Sequence, residues 1–114
     1  MKKVILFFII ITFVSVALSQ PETSSWDGVS YCVKDYLKQH LHDPKSLKIQ
    51  DAYELMQADK DYIQRVTYRA KNAFGAYVVE DKVFFMQRVY GENRKYKVYD
   101  VWDFTTFLSV INNL

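Results

Sequence analysis

Hydrophobic and polar residues follow three successive patterns along the chain, and each pattern predicts a different kind of segment. Residues 4–18 form an almost unbroken apolar run. Over residues 26–41 the apolar side chains recur every three or four positions, which predicts one amphipathic helix. From residue 47 onward apolar and polar residues alternate in several segments, which predicts strands whose side chains point to opposite faces of a sheet.

The predicted helix has recognisable signals at both ends. Ser24 and Asp27 have the spacing of an N-terminal capping box. Asp43-Pro44 is expected to end the helix, because a proline disfavours the helical conformation of the residue before it. The polar residues 20–25, which precede the helix, are predicted to be a short flexible segment.

Four strands are predicted after the helix. The first begins at residue 47, the second covers residues 62–71, the third runs over residues 76–90 with a break near residues 80–82 left open, and the fourth covers residues 95–101. The first strand alternates so that one face carries Leu47, Ile49, Asp51 and Tyr53, and the other carries Lys48, Gln50 and Ala52. Asn72 to Gly75 and Gly91 to Arg94 supply turn residues between strands.

The second predicted strand has one apolar side and one basic side. The apolar set is Tyr62, Val66, Tyr68 and Ala70, and the polar set, basic except for Thr67 and expected to face water, is Arg65, Thr67, Arg69 and Lys71. Consecutive strands joined by short turns usually form a meander. The predicted fold class is therefore α+β, with an N-terminal amphipathic helix packed on a four-stranded antiparallel β-meander and a short C-terminal helix that Asp103 can cap.

The first apolar run has the composition of a secretory signal peptide. Lys2 and Lys3 precede it and small residues end it, while the run is shorter than the roughly 20 apolar residues that a membrane-spanning helix needs. We predict cleavage between Ser19 and Gln20 and an exported, periplasmic or extracellular product. The short n-region and compact h-region favour a bacterial signal, and a eukaryotic secretory signal is the alternative type. An uncleaved N-terminal anchor is the alternative. The predicted organisation is a signal peptide (1–19), a flexible N-terminal segment (20–25) and a single α+β domain (26–114).

The charge and the cysteine content argue against nucleic-acid binding and against a disulfide-stabilised fold. The full chain has 15 basic and 13 acidic side chains, and removal of residues 1–19 takes away two lysines and no acid, so the mature domain is formally neutral. A neutral domain has no overall field that would draw it to nucleic acid or to anionic lipid. Cys32 is the single cysteine, so no intrachain disulfide can form, and it is either a small hydrophobe on the helix flank or an intermolecular partner.

The residue types of catalytic and metal sites are present without the required spacing. His40 and His42 are two apart, so on a helix they point about 200° away from each other, with His40 in the apolar stripe and His42 toward solvent. Cys32 and His40 would be about 12 Å apart along a helix, too far for a nucleophile and its base. We predict no catalytic residue, no metal and no cofactor, and therefore no enzymatic activity.

Two stretches carry a family resemblance. Leu41-His42-Asp43-Pro44-Lys45-Ser46-Leu47-Lys48 and Ala70-Lys71-Asn72-Ala73-Phe74-Gly75-Ala76-Tyr77 resemble small exported bacterial proteins of unknown function that carry L-x-D-P-x-S-x-K and A-K-N-x-F-G-x-Y elements. His42 and the bulky Leu47 are minor departures in the first element. The resemblance implies export, and it brings no activity, cofactor or partner.

The second element has two interpretations. It is a folding signature, in which Asn72 and Gly75 shape a hairpin turn, or it is a recognition tip on a rigid scaffold. In the second interpretation Phe74 is the telling residue, because a phenylalanine exposed at a turn needs a partner. The residues predicted to bind a partner are Arg65, Arg69, Lys71, Asn72, Phe74, Gly75 and Tyr77.

The leading hypothesis is an exported, non-enzymatic binding or accessory protein of the cell envelope or secretome. Its partner would be a protein or another cell-envelope component, without nucleic acid and without stable membrane insertion after signal cleavage, and the domain would be a monomer or a weak homodimer. The alternatives are a structural or assembly homodimer formed through an edge strand or Cys32, and a small hydrolase. A cleft that holds His40 with an acidic neighbour would favour the hydrolase.

Overall fold

The computed structural model describes residues 20–91 and 94–114. The predicted signal peptide lies outside the described residues, as do residues 92 and 93 of the predicted turn. The described chain contains a helix α1, a 3-10 turn, four strands and a second helix α2: α1 (Tyr31–His40), the 3-10 turn (Pro44–Ser46), β1 (Lys48–Gln57), β2 (Asp61–Lys71), β3 (Tyr77–Arg88), β4 (Tyr96–Asp103) and α2 (Phe104–Asn112).

The alternating segments form one four-stranded sheet in the order β1-β2-β3-β4, with every neighbouring pair antiparallel. The predicted antiparallel meander is confirmed. β2 and β3 pair without interruption from Asp61 opposite Gln87 to Lys71 opposite Tyr77, so β3 has no break at residues 80–82. β1 is less regular, because its register against β2 shifts after Ile49 and again after Glu54.

The shift after Ile49 changes which side chains of β1 share a face. Ile49 lies opposite Tyr68 and Ala52 lies opposite Val66, so both pack toward the core, three residues apart instead of two. Lys48, Asp51 and Tyr53 lie on the other face. The predicted alternation, which put Ile49 and Ala52 on opposite faces, is wrong for this reason, because a bulge inserts one residue and reverses the sides of those that follow.

The helix predicted over residues 26–41 is not matched in the structure, where α1 begins only at Tyr31. Gly28 has a φ of +73°, which is incompatible with a right-handed helix passing through it. The Oδ1 atom of Asp27 accepts a hydrogen bond from the backbone N–H of Val29 at 3.0 Å, and Gly28 N–H donates to the carbonyl of Ser24 at 2.9 Å. Ser24 and Asp27 therefore shape a turn before the helix instead of capping it.

Residues 20–25, predicted to be a flexible segment, make defined contacts with the rest of the domain. Thr23 forms a bridge with Ser30, and Tyr31 N–H donates to the carbonyl of Glu22 at 2.9 Å. Pro21 and Ser24 are buried. The chain therefore approaches α1 along a path that its own backbone hydrogen bonds define.

The core lies between α1 and one face of the sheet. Val33 and Leu37 of α1 are buried, and so is the apolar side of β2 that the sequence predicts, Tyr62, Val66, Tyr68 and Ala70. Phe84 and Met86 of β3 and Tyr96 of β4 complete this cluster. Burial of such side chains removes apolar surface from water and supplies most of the free energy that favours folding.

One buried amide joins the turn before α1 to the centre of the sheet. Gln64 is only 2 % exposed; its Nε2 donates to the carbonyl of Gly28 at 2.9 Å, and its Oε1 accepts from the N–H of Ser30 at 3.1 Å. Both polar ends of the side chain are thus paired. A buried polar group with satisfied hydrogen bonds positions backbone strongly, because breaking either bond would leave a desolvated atom without a partner.

The opposite face of the sheet is only partly open to water, because α2 packs on it. Phe107 of α2 lies 6.0 Å from Phe85 and 6.4 Å from Trp102, measured between ring centroids. The prediction that this face is solvated is therefore wrong for its part nearest β4. Within the described part of the chain, no helix is both long and apolar enough to cross a membrane.

Two core tyrosines make folding sensitive to alkaline pH. Burial raises the pKa of Tyr62 and of Tyr68 to about 12 each, whereas a tyrosine in an unfolded chain ionises near pH 10. The folded state is therefore fully stabilised below pH 10, and this contribution is lost as the pH rises from 10 to about 12. We expect the free energy of unfolding in urea to fall over that interval, and to fall less in Tyr68→Phe. An equal fall in the two proteins would contradict the assignment.

Candidate functional site

Six of the seven residues predicted to bind a partner lie together at the far end of the β2–β3 hairpin. Lys71 is the last residue of β2 and Tyr77 is the first residue of β3, and the two are register partners. The remaining members at this end are Arg69, Asn72, Phe74 and Gly75. Arg65 lies further along β2 and has different neighbours.

The Asn72 side chain organises the turn. Its Oδ1 accepts hydrogen bonds from the backbone N–H groups of Phe74 at 2.9 Å and of Ala76 at 3.2 Å. The turn is closed by Asn72 N–H donating to the carbonyl of Ala76 at 2.9 Å. Gly75 has a φ of +78°, a conformation that residues with a Cβ rarely adopt. Asn72 and Gly75 therefore have a structural role, as the folding-signature interpretation of the motif requires.

Phe74 stands at the tip of this turn and is 93 % exposed. Neighbouring Ala73, Gly75 and Ala76 are also exposed, so no described residue covers the ring. The hydrogen bonds of Asn72 hold the backbone on both sides of Phe74. A large apolar side chain is thus presented to solvent by a backbone that is already ordered, which lowers the entropic cost of binding through it.

Three cations surround the ring of Tyr77. The Nζ of Lys48, the Cζ of Arg69 and the Nζ of Lys71 lie 5.3, 5.2 and 5.5 Å from its centroid. These distances are within the range of cation–π attraction. The strand register brings these four side chains together, because Lys48 pairs with Arg69 across β1 and β2, and Lys71 pairs with Tyr77 across β2 and β3. We call Lys48, Arg69, Lys71 and Tyr77 the cationic cluster.

The cations of this cluster have no acidic partner. Among residues 20–91 and 94–114, none of Lys48, Arg69 and Lys71 forms an ion pair with a carboxylate. Lys82 of β3, by contrast, contacts both Glu80 and Asp103. The positive charge at this end of the sheet is therefore available to an external anion, although residues 20–114 as a whole are formally neutral.

Lys48 was missed as a site residue by the sequence reasoning. It belongs to the D-P-x-S-x-K element, far from the turn in sequence, and only the pairing of β1 with β2 brings it to Tyr77. The alternation of β1 indicates that Lys48 lies on one face of the sheet, and pairing with β2 in the right register would place it beside the basic residues of that strand. The register needed to use that signal is not readable from one strand alone.

Arg65 is not part of the cluster, because it is engaged inside the fold. Its Nε and Nη2 atoms donate to Oδ1 and Oδ2 of Asp81 at 2.9 and 2.6 Å, and its guanidinium lies 3.5 Å from the centroid of Phe104. The hydrogen bonds to Asp81 raise the pKa of Arg65. Arg65 therefore anchors the start of α2 to the sheet and does not lie with the other six predicted binding residues at the hairpin end.

Ser46 joins the two motif stretches. Its Oγ donates to the carbonyl of Asp43 at 2.7 Å and accepts from the N–H of Lys71 at 2.7 Å, and the residue is 8 % exposed. The same two stretches meet again where Lys48 approaches Tyr77. The L-x-D-P-x-S-x-K and A-K-N-x-F-G-x-Y elements are thus one local structure that supports the hairpin end.

A groove of about 340 Å³ runs between α1 and β4, and Cys32 and His40, the residue types of a nucleophile and a base, line it. It is lined by Cys32, Asp35, Tyr36, Gln39, His40, Tyr96, Lys97 and Val98. His40 is exposed and stacks on Tyr36 at 3.9 Å between ring centroids, with its Nδ1 2.8 Å from the carbonyl of Tyr36. The prediction that His40 falls in the apolar stripe is wrong, because the helix ends at this residue and leaves its ring outside the core.

The cysteine of the groove is not activated. The Sγ of Cys32 lies 3.2 Å from the Sδ of Met86, and burial raises the pKa of the thiol to about 11. No hydrogen bond joins Cys32 to His40 in the described chain. Among the same residues, no group of three or more His, Cys, Asp or Glu side chains could hold a metal ion. Both His40 and Asp35 thus line the groove, but no described nucleophile in it is paired with a base.

Comparisons with known proteins add no precedent for this arrangement. No protein-family model matches the chain, and neither a curated protein nor a solved structure matches it. Function is therefore inferred from the sequence, from the hairpin end and from the groove.

Replacing Ser46 tests whether the two motif stretches support each other. Ser46→Ala leaves the Lys71 N–H without its acceptor in a mostly buried place and removes one of the two hydrogen bonds that the Asp43 carbonyl accepts from Ser46, so we expect a loss of about 1–3 kcal/mol in the free energy of unfolding. The measurement is urea unfolding followed by circular dichroism. Ser25→Ala, at an exposed position of the turn before α1, is the matched control and should change stability little. Equal effects of the two variants would argue against the bridge.

The reactivity of Cys32 tests the state of its thiol. With a pKa of about 11 the folded protein has far less thiolate at pH 8 than an unfolded chain, whose cysteine ionises near pH 8.5. We expect iodoacetamide to alkylate folded protein roughly a hundredfold more slowly than urea-unfolded protein at pH 8, and the folded rate to keep rising up to about pH 11. Similar rates for the two forms would show an accessible, ordinary thiol.

Proposed function

We propose that the chain is an exported, non-enzymatic binding or accessory protein of the cell envelope or secretome, and that it binds through the hairpin end. The observation that supports this most is the exposure of Phe74 on a turn held by Asn72, beside a cationic cluster that forms no ion pair with a carboxylate of residues 20–91 and 94–114. Apolar groups exposed next to unpaired charges are common at sites of interaction, because both gain free energy from a complementary surface.

The scaffold supports this use of the hairpin end. β2 and β3 are paired along their whole length, and Ser46 fixes the end of β2 from the other motif. The site is therefore rigid before binding, as binding loops on stable scaffolds usually are. The predicted signal peptide supports an exported location, in which the partner would be an envelope or secreted component.

The homodimer alternative has less support. β1 is one edge of the sheet, but it carries two irregularities in its register, after Ile49 and after Glu54. Bulges distort an edge and disfavour its pairing with another chain. Cys32 contacts Met86 through its sulfur, so its thiol is directed into the fold and not toward a second copy.

The hydrolase alternative depends on the groove beside α1. The groove has residue types that hydrolases use, with His40 and Asp35 on the same helix. Hydrolysis through Cys32 would need a thiolate and a neighbouring base, whereas the thiol keeps its proton and makes no hydrogen bond to His40. The hairpin end is for this reason the better-supported site.

Affinity capture from the producing cell's envelope tests the proposal. The mature protein, Phe74→Ser and Trp26→Ser are each immobilised, and the retained envelope components are compared. Trp26 is 96 % exposed and lies on the turn before α1, so it is a matched control for the loss of an exposed aromatic ring. We expect a component that the wild type and Trp26→Ser retain and that Phe74→Ser loses at least tenfold.

Thermal unfolding of the three proteins accompanies the capture, so that a loss of binding is not confused with a loss of folding. Because neither aromatic ring is in the core, we expect the three unfolding temperatures to agree within a few degrees. If all three folded proteins retain the same components, or none, the hairpin end is not a recognition site and the proposal fails.

A further inference from the structure

The tip of the β2–β3 hairpin is apolar on both of its faces. The eight residues from Asn72 to Val79 include no charged side chain. Val78 is 38 % exposed and Val79 is 60 % exposed. Val78 lies opposite Ala70, on the side of the sheet that faces α1, whereas Val79 lies opposite Arg69, on the other side. Exposed apolar groups thus surround the tip instead of forming a patch on one side.

The charges are set back from this tip. Lys71 precedes the turn, and Arg69 and Lys48 follow behind it toward the body of the sheet. Moving from the tip inward, the hairpin end therefore presents first the ring of Phe74, then Lys71 level with Tyr77, then Val78, and then Arg69 and Lys48 level with Val79. A lipid bilayer offers the complementary order, since its anionic phosphates lie outside and its apolar chains lie beneath them.

Other partners fit this arrangement less well. A soluble or polymeric anion would be bound by the cations alone and would leave Phe74 and Val78 exposed. A groove on a folded protein would cover one side of the hairpin, whereas Val78 and Val79 point to opposite sides. A fluid apolar surface surrounds an inserted tip from all directions, so it covers both.

We infer that the hairpin end docks on the surface of a membrane that contains anionic phospholipid. Phe74 and its apolar neighbours enter the interfacial region, and Lys48, Arg69 and Lys71 contact the headgroup phosphates. This inference rests on the proposed function and names its partner. The docking is peripheral, because the tip is a two-stranded hairpin whose flanking charges stay at the level of the headgroups.

The neutral net charge makes this docking short-ranged and sensitive to salt. Beyond about 10 Å at ordinary ionic strength the field of three cations is screened, so attraction acts only near contact. Each basic residue near an anionic surface contributes about a fivefold increase in partitioning. Removal of all three should therefore lower binding by roughly a hundredfold.

Vesicle co-sedimentation of the mature protein tests the inference. The probes are vesicles of phosphatidylcholine alone and of equal parts phosphatidylcholine and phosphatidylglycerol, each at low and at high salt. We expect at least tenfold stronger partitioning to the anionic vesicles at low salt, and its loss in the triple variant Lys48→Gln, Arg69→Gln, Lys71→Gln. The control removes three exposed cations elsewhere, Lys38→Gln, Lys60→Gln and Lys97→Gln, and should bind like wild type.

A second measurement follows the tip itself. Phe74→Trp keeps a large apolar ring at the exposed position, and its fluorescence should shift to shorter wavelength with anionic vesicles, in excess of any change that the wild type shows. Phe74→Ser should bind these vesicles at least tenfold more weakly. Binding that depends on the three cations but is unchanged in Phe74→Ser would overturn insertion of the tip and leave a simple anion site.

Failure of the inference is separable from failure of the proposed function. If envelope capture depends on Phe74 while neither kind of vesicle is bound, the partner is not lipid and this inference is overturned, but the binding function stands. Equal binding to both kinds of vesicle would also overturn it, because the cations would then have no role. If neither the envelope nor the vesicles are bound through Phe74, both fail.

Discussion

The uninterrupted pairing of β2 with β3 is the constraint on which the rest of the structure depends. It places Tyr62 and Val66 against Met86 and Lys82 on the side of α1, and by the same register it places Lys71 beside Tyr77 at the far end of the opposite side. A shift of one residue would exchange the two sides of the strand and expose the core. The core and the cationic cluster are therefore two consequences of one register.

The two faces of the sheet are used differently along their length. α1 and the turn before it are fastened to one face by apolar packing and by the buried amide of Gln64. On the other face α2 packs on β3 and β4 through Phe107, and its first residue, Phe104, lies over Arg65 of β2, which pairs with Asp81 of β3. The uncovered remainder ends in the cationic cluster, so the position of α2 decides which of the basic residues of β2 face solvent.

Motif residues that resemble a folding signature also build the proposed site. Asn72, Gly75 and Ser46 make hydrogen bonds or adopt conformations that fix the hairpin end, and none of them needs to touch a ligand. Phe74 contributes nothing comparable to the fold, since its ring is exposed. The folding-signature interpretation therefore applies to Asn72, Gly75 and Ser46, and the proposed recognition role depends on Phe74, which these residues hold in place.

The alternation of apolar and polar residues was sufficient to predict the strands, their meander and the two sides of β2, because a period of two is a local property of an extended chain. The beginning of α1, the faces of β1 and the place of Lys48 depended on tertiary structure. Gly28, in the turn before α1, has a positive φ, and its carbonyl accepts a hydrogen bond from Gln64 of β2. The bulge after Ile49 is defined only by the pairing of β1 with β2. Likewise the charge of Arg65, on the basic side of β2, is paired with Asp81 of β3, and its guanidinium is covered by Phe104 of α2. Such contacts join residues far apart in sequence, so no local pattern contains them.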